Sequence, residues 1–244
     1  MGRGPMGGPP PGAGMSATTA RLFGENAAFT ADLEMEARGG DAGDGVSMPG
    51  KVAFDHGKFR SEMDLSNMKR GQAPPQGMEQ MKAMGMDKMV MISRPDKKLS
   101  YMIYPGLQGY VENPLPEGEA EAASASDLKM ETTELGKEDV DGHPCVKTKA
   151  VVTDKEGKTH EALVWNATDL NRFPLRMEMT ESGTTVTMNY RNVKLDKPGA
   201  EAFEPPAGCA KYENMQQMMQ QVMMKRFGGG AVPGSIPRQR PADR

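Results

Sequence analysis

Residues 173–195 read FPLRMEMTESGTTVTMNYRNVKL, and the fold class follows from this stretch. Leu175, Met177 and Met179 alternate with Arg176, Glu178 and Thr180, the period of a strand with one apolar and one wet face. Glu181-Ser182-Gly183-Thr184 is a short polar turn. Val186, Met188 and Tyr190 resume the alternation, which then slips to Val193 and Leu195. A one-residue slip would carry every later side chain to the other face, so the phase change predicts a bulge near Arg191–Asn192.

The same rhythm extends outward. Phe29, Ala31, Leu33, Met35 and Ala37 alternate with Thr30, Asp32, Glu34, Glu36 and Arg38, and Phe59, Met63 and Leu65 with Arg60, Glu62 and Asp64. Turns at 55–58, 94–97 and 154–158 separate further runs of this kind. About ten strands are expected between 27 and 196, joined mostly as an antiparallel meander, because one-sided alternation disfavours a doubly covered parallel sheet. So many strands must curl, split or close. Helix formers without β-branching mark 75–86 and 117–127, a shorter helix is expected over 17–24 before the first strand, and residues 212–227 place Met215, Met218, Met219, Val222, Met223 and Phe227 on one helical face. The expected architecture is mainly β (α+β): a strongly curved antiparallel sheet forming an incomplete barrel, with a few helices over its concave side or open edge.

The chain has 244 residues, 30 basic and 33 acidic side chains and a pI near 5.8, which argues against a general nucleic-acid binder. It contains no apolar run long enough for a transmembrane helix. Residues 1–16 and 228–244 are dominated by Gly and Pro and are expected to be disordered, leaving one domain over 17–227. Neither end carries a charged segment followed by an apolar stretch, so no signal peptide is visible.

Catalytic signatures are nearly absent. Gly2-Arg3-Gly4-Pro5-Met6-Gly7 spells a dinucleotide fingerprint without the strand and helix it needs. His56 and His160 read as surface residues of a turn and a strand start, and no enzyme activity or cofactor is expected. His143-Pro144-Cys145 falls short of the three or four convergent ligands of a transition-metal site. Cys145 and Cys209 could form a disulfide, which requires an oxidising compartment.

The outlying number is 23 methionines. Thioethers suit Cu(I), but the spacings are ordinary helix and strand periods, which core packing also produces. A Met-lined cavity would adapt to a floppy apolar ligand. Alternation selects Leu33, Met35, Met63, Met91, Trp165, Met177, Met179, Met188 and Tyr190 as its lining, with Met81, Met84, Met218 and Met219 as a lid. On strands apolar on both sides, such as Leu99–Tyr104 and Leu163–Trp165, the inward face could be the other one.

Four blocks, Met81–Glu112, Glu134–Lys149, Val164–Met179 and Ala202–Tyr212, resemble a bacterial family of envelope proteins of unknown function. By fold that family is grouped with the periplasmic lipoprotein carriers LolA and LolB. The resemblance implies a LolA-like incomplete barrel with helices at its mouth and an apolar cavity, in the periplasm or cell envelope. It brings no catalytic residues. The combined expectation is a non-enzymatic protein binding a lipid or lipoprotein acyl chain, with no nucleic-acid partner. The alternatives are a structural or protein-interaction module with a fully packed core and, after that, a Cu(I)-binding Met-rich protein.

Overall fold

The computed structural model describes residues 15–40, 45–71, 77–115, 120 and 126–227, with the backbone alone for 225–227. The Gly/Pro-rich ends, apart from Met15 and Ser16, and most of the helix expected over 117–127 lie outside the described residues. Thirteen strands make one sheet. In chain order they are β1 (Ala28–Gly39), β2 (Val46–Asp55), β3 (Lys58–Asp64), β4 (Lys69–Arg70), β5 (Lys88–Arg94), β6 (Leu99–Tyr104), β7 (Gly109–Pro114), β8 (Lys129–Val140), β9 (His143–Thr153), β10 (Thr159–Ala167), β11 (Phe173–Glu181), β12 (Thr184–Lys194) and β13 (Ala210–Tyr212). Their lateral order is β13-β7-β6-β5-β3-β2-β1-β12-β11-β10-β9-β8, with the two-residue β4 paired to β2. All pairings are antiparallel except β13 on β7. The terminal strands β13 and β8 do not pair with each other, so the barrel is incomplete.

Local chemistry sets the connections. His56-Gly57, Asp141-Gly142 and Ser182-Gly183 each hold two successive positive φ angles, the conformation that two-residue hairpins need to match the strand twist. The expected bulge is present: between Thr30 and Asp32 the β12 partner jumps from Lys194 to Arg191. Asn192 takes up the slack at φ 50° and donates from Nδ2 to Asp32 Oδ2 at 2.7 Å.

Three helices fall among the described residues: α1 (Ala17–Arg21), α2 (Met78–Met84) and α3 (Met215–Phe227). α1 shows that the sheet is bent. It packs on β9, and its Arg21 Nε donates to Leu128 O beside β8 at 2.9 Å. Its Thr19 also shares a pocket with Phe59, Ser61 and Met63 of β3. β3 and β9 are six strand steps apart, about 29 Å across a flat sheet, whereas five helical residues span only about 7.5 Å. The sheet therefore curls around α1.

The curled face carries the main core. Phe23 follows α1, and its ring centroid lies 4.6 Å from Phe29, 5.9 Å from Phe54, 5.6 Å from Phe173 and 5.6 Å from Tyr190. Five residues cannot sustain a helix alone. Ser16 caps this one, accepting from Thr19 N at 3.1 Å, and burial of Ala17, Ala20, Leu22 and Phe23 docks it.

The outer face has its own smaller core beneath the 3-10 turn Ala200–Phe203, with Phe203 packed on Ala53, Val90, Ile92, Tyr101 and Ile103. Arg94 pins this turn, donating to Phe203 O at 3.1 Å and pairing with Asp96 and Glu204. β5 and β6 are therefore buried on both sides, which explains the two-sided apolar reading of Leu99–Tyr104.

α3 covers the β13 end of the sheet. Met218 is fully buried against Tyr212, and a Cβ on Gly109 would lie 2.7 Å from the Tyr212 ring and 2.8 Å from Met218 Sδ. Glycine is what lets the helix settle there. At the other end, β8 guards its free edge with Glu131, Glu134, Lys137, Glu138 and Asp139 and with a register break at Gly136.

Asp55 closes the β2–β3 hairpin almost wholly buried. Burial pushes its carboxyl up, but Lys58 at 2.8 Å, His56 at 2.7 Å and Lys197 outweigh it and hold the group at about 2 instead of 3.8. A depressed carboxylate stabilises the fold above its unfolded value, and that contribution is lost as pH falls through the folded one. Acidification from pH 4 to 2 is expected to remove about 2 kcal/mol through this group. Urea titrations at pH 4 and pH 2 should show wild type losing more stability than Asp55→Asn by this amount.

Candidate functional site

Register places methionines side by side on the curled face. Met48 of β2 lies directly opposite Met35 of β1, Met35 opposite Met188 of β12, and Met188 opposite Met177 of β11. One strand step toward α1, Gly50 stands between Leu33 and Met63 in the same cross-strand row. A pocket of about 50 Å³ forms beside Gly50, where a Cβ would come 2.5 Å from Glu62 O, so β2 and β3 approach closely. Its walls are Leu33, Met35, Met48, Phe59, Met63, Met188 and Tyr190, joined by Lys51, Ser61 and Glu62 on the β2–β3 side. Its roof is Met15 and Thr19. Five of the lining residues are methionines.

The deep side of the pocket is dry. Leu33, Phe59, Met63 and Tyr190 are buried, and burial pushes the Tyr190 hydroxyl well above its ordinary titration range. That hydroxyl donates to Met188 Sδ at 3.6 Å. The shallow side, formed by Met35, Met48 and Met188, is half-buried. Ala37, Val46, Met179 and Val186 continue the same face beyond it, also half-buried, so the pocket opens onto an apolar floor along the strands. Such a site offers contact without directional demand.

Of the residues expected to line a cavity, Leu33, Met35, Met63, Met188 and Tyr190 do so. Met91, Met177 and Met179 share the curled face but not the pocket: Met91 packs in a second cluster with Met63, Met89 and Tyr104, Met177 is fully buried in the main core, and Met179 packs on that core. Trp165 is not in the pocket either, but it is buried in the main core cluster. It stands directly between Lys147 and Arg176, whose cations lie 4.6 and 5.5 Å from its ring centroid.

The residues expected to form a lid are elsewhere too. Met218 and Met219 belong to the cluster at the β7–β13 edge, and Met81 and Met84 sit half-buried on α2. The roof is α1 instead, because the main aromatic core anchors the chain there. Cys145 and Cys209 are free thiols rather than a disulfide: the first is buried in the main core, and the second packs beside the outer-face cluster. Burial pushes both thiols up.

Sequence reasoning missed Met15, Thr19, Met48 and Gly50. Met15 sits at the end of a Gly/Pro-rich run, and Val46-Ser47-Met48-Pro49-Gly50 has the composition of a turn although it is strand. The helix itself was expected over 17–24, and the Ser16 cap before Ala17 marks its start, but nothing in the sequence placed it over the pocket.

Comparisons with solved structures find similar shapes at low identity. A LolA superfamily protein from Nitrosomonas europaea is 11% identical, with 78% of this chain and 98% of that one covered and a TM-score of 0.39. LprF from Mycobacterium bovis is 14% identical, with coverages of 75% and 96% and a TM-score of 0.40. The Mycobacterium tuberculosis lipoprotein LppX is 11% identical, with coverages of 74% and 94% and a TM-score of 0.37. Nothing about this chain's ligand follows from likenesses of that order. No curated protein matches the sequence. No helix among the described residues is long and apolar enough to cross a membrane. The sequence pattern of one family matches residues 46–171, half of the chain, from β2 through β10. The chain belongs to that family, DUF4412, described as a domain of unknown function.

Proposed function

We propose that this protein binds an apolar chain, a lipid or lipoprotein acyl group, in the methionine-lined pocket beneath α1, and that it does so in the bacterial envelope. The observation that carries the reading is a pocket whose wall is mostly thioether, alkyl and aromatic groups and which opens onto a half-buried apolar floor. The envelope setting rests on the resemblance of the four sequence blocks. The role is binding rather than catalysis.

The volume sets the mode of binding. An apolar cavity of about 150 Å³ accommodates benzene. A pocket of about 50 Å³ takes only the end of a chain, and the rest lies along the floor or displaces the roof. Each methylene removed from water contributes about 0.8 kcal/mol. The roof is a five-residue helix held by tertiary contacts alone, so its displacement is local.

Titration with a fluorescent long-chain fatty acid tests this. Wild type should bind it saturably at one site. Met35→Trp fills the mouth from a half-buried position, and losing two methylenes of contact weakens binding by roughly tenfold. Absence of saturable binding by wild type would refute the proposal. That result would favour a module whose curled face is simply packed, a second reading supported by the small volume.

A further inference from the structure

Methionine outnumbers leucine 23 to 12 in this chain, the reverse of ordinary usage. Leucine fills a core equally well and holds a better-defined rotamer, so hydrophobic packing alone does not account for the choice. The positions matter more than the count. Met35 has Met48 directly opposite on one side and Met188 directly opposite on the other, all three projecting from the same face of adjacent strands. Directly opposed residues hold their Cβ atoms about 4.5–5.5 Å apart. Three rotatable bonds per side chain then let the sulfurs converge on one point. Met15 reaches the same pocket from the roof.

We infer that Met35, Met48 and Met188, capped by Met15, form an all-thioether site for a soft monovalent cation, Cu(I) or its analogue Ag(I). Thioethers are neutral, soft donors, and they favour a soft monovalent ion over hard or divalent ones. An apolar pocket also penalises one charge far less than two. Lys51 and Glu62 border the pocket but alternate with the inward Gly50 and Met63, and Glu62 accepts from Arg60, which also donates to Ala202 O on the outer face. The three strand methionines are half-buried, so an ion can enter from the open side while Met15, itself buried, closes the other. The inference is independent of acyl binding, because it requires sulfur and not merely an apolar wall.

The test uses the full chain under anaerobic, reducing conditions, with Cu(I) competed against a chromophoric Cu(I) chelator. One equivalent should be retained by wild type. The volume-conserving variants Met35→Leu, Met48→Leu and Met188→Leu should each lose at least the roughly tenfold in affinity that removing even an outer partner of a metal ligand causes. Fatty-acid titration of metal-free wild type reads the acyl site by itself, so a failure of the metal site is distinguishable from a failure of the acyl site. A second readout needs no variant: with ¹³C-methyl methionine, Ag(I) should shift the Met15, Met35, Met48 and Met188 methyls and leave Met223 and Met224 on α3 in place. No retained copper, unchanged affinity in the triple Leu variant, or shifts confined to α3 would each overturn the inference; copper surviving the triple substitution would place it on the thiols instead.

Discussion

Phe23→Ala is expected to destabilise the protein by about 3–5 kcal/mol and to uncover the pocket at the same time. Phe23 is 1% exposed, and four aromatic rings surround it within 6 Å, contributed by β1, β2, β11 and β12. It is also the residue through which the α1 segment is anchored to the sheet. Truncation leaves a cavity that these neighbours can only partly close, and it frees the roof residues Met15 and Thr19. Urea unfolding should read the loss, while an environment-sensitive apolar dye should bind more strongly to the folded variant than to wild type. A stability loss without increased dye binding would mean that α1 is not the roof.

Met218→Ala should have the next largest effect, about 2–5 kcal/mol, but of a different kind. Met218 has no exposed surface and sits where Gly109 leaves room for it against Tyr212. Its removal should release α3, and amide exchange across 215–224 should accelerate before the sheet is affected. Binding in the pocket should not change, because α3 contributes nothing to its lining. Met224→Ala, on the exposed side of the same helix at 64% exposure, should stay within about 0.5 kcal/mol of wild type. If Met218→Ala weakened fatty-acid binding as strongly as Met35→Trp, α3 would be acting as a lid and the present assignment of the roof would be wrong.

The pair of variants reflects what was legible in the sequence. Alternation is a two-fold signal, and wherever one face was wet it fixed the orientation of the strand: Leu33, Met35, Met188 and Tyr190 all point where their spacing said. The slip at Arg191–Asn192 was readable for the same reason, since only a bulge reconciles two apolar phases on one strand. Alternation is silent where both faces are covered. Trp165 followed Val164 in a run apolar on both sides, and only its cross-strand partners Lys147 and Arg176, distant in sequence, separate it from the pocket while it stays buried in the main core.

The lid was misplaced for another reason. A methionine stripe on a helix reports that some surface covers it, not which one, and the choice between the pocket and the β7–β13 edge was decided by a glycine at 109 and a parallel strand of three residues. The true roof was read as a short helix over 17–24 but not as a cover for the pocket. Five helical residues next to a Gly/Pro-rich run carry little periodic signal, and their docking comes from Phe23 beyond the helix end.

The central claim is that an apolar chain lodges under α1 among the pocket methionines. A long-chain fatty acid with a photoactivatable group at its terminal carbon, irradiated on the protein and mapped by peptide mass spectrometry, addresses it most directly. Adducts concentrated on Met15, Met35, Met48, Met63 and Met188, and suppressed by unlabelled fatty acid, are the expected result. Adducts on α3, or labelling that excess competitor does not reduce, would contradict it.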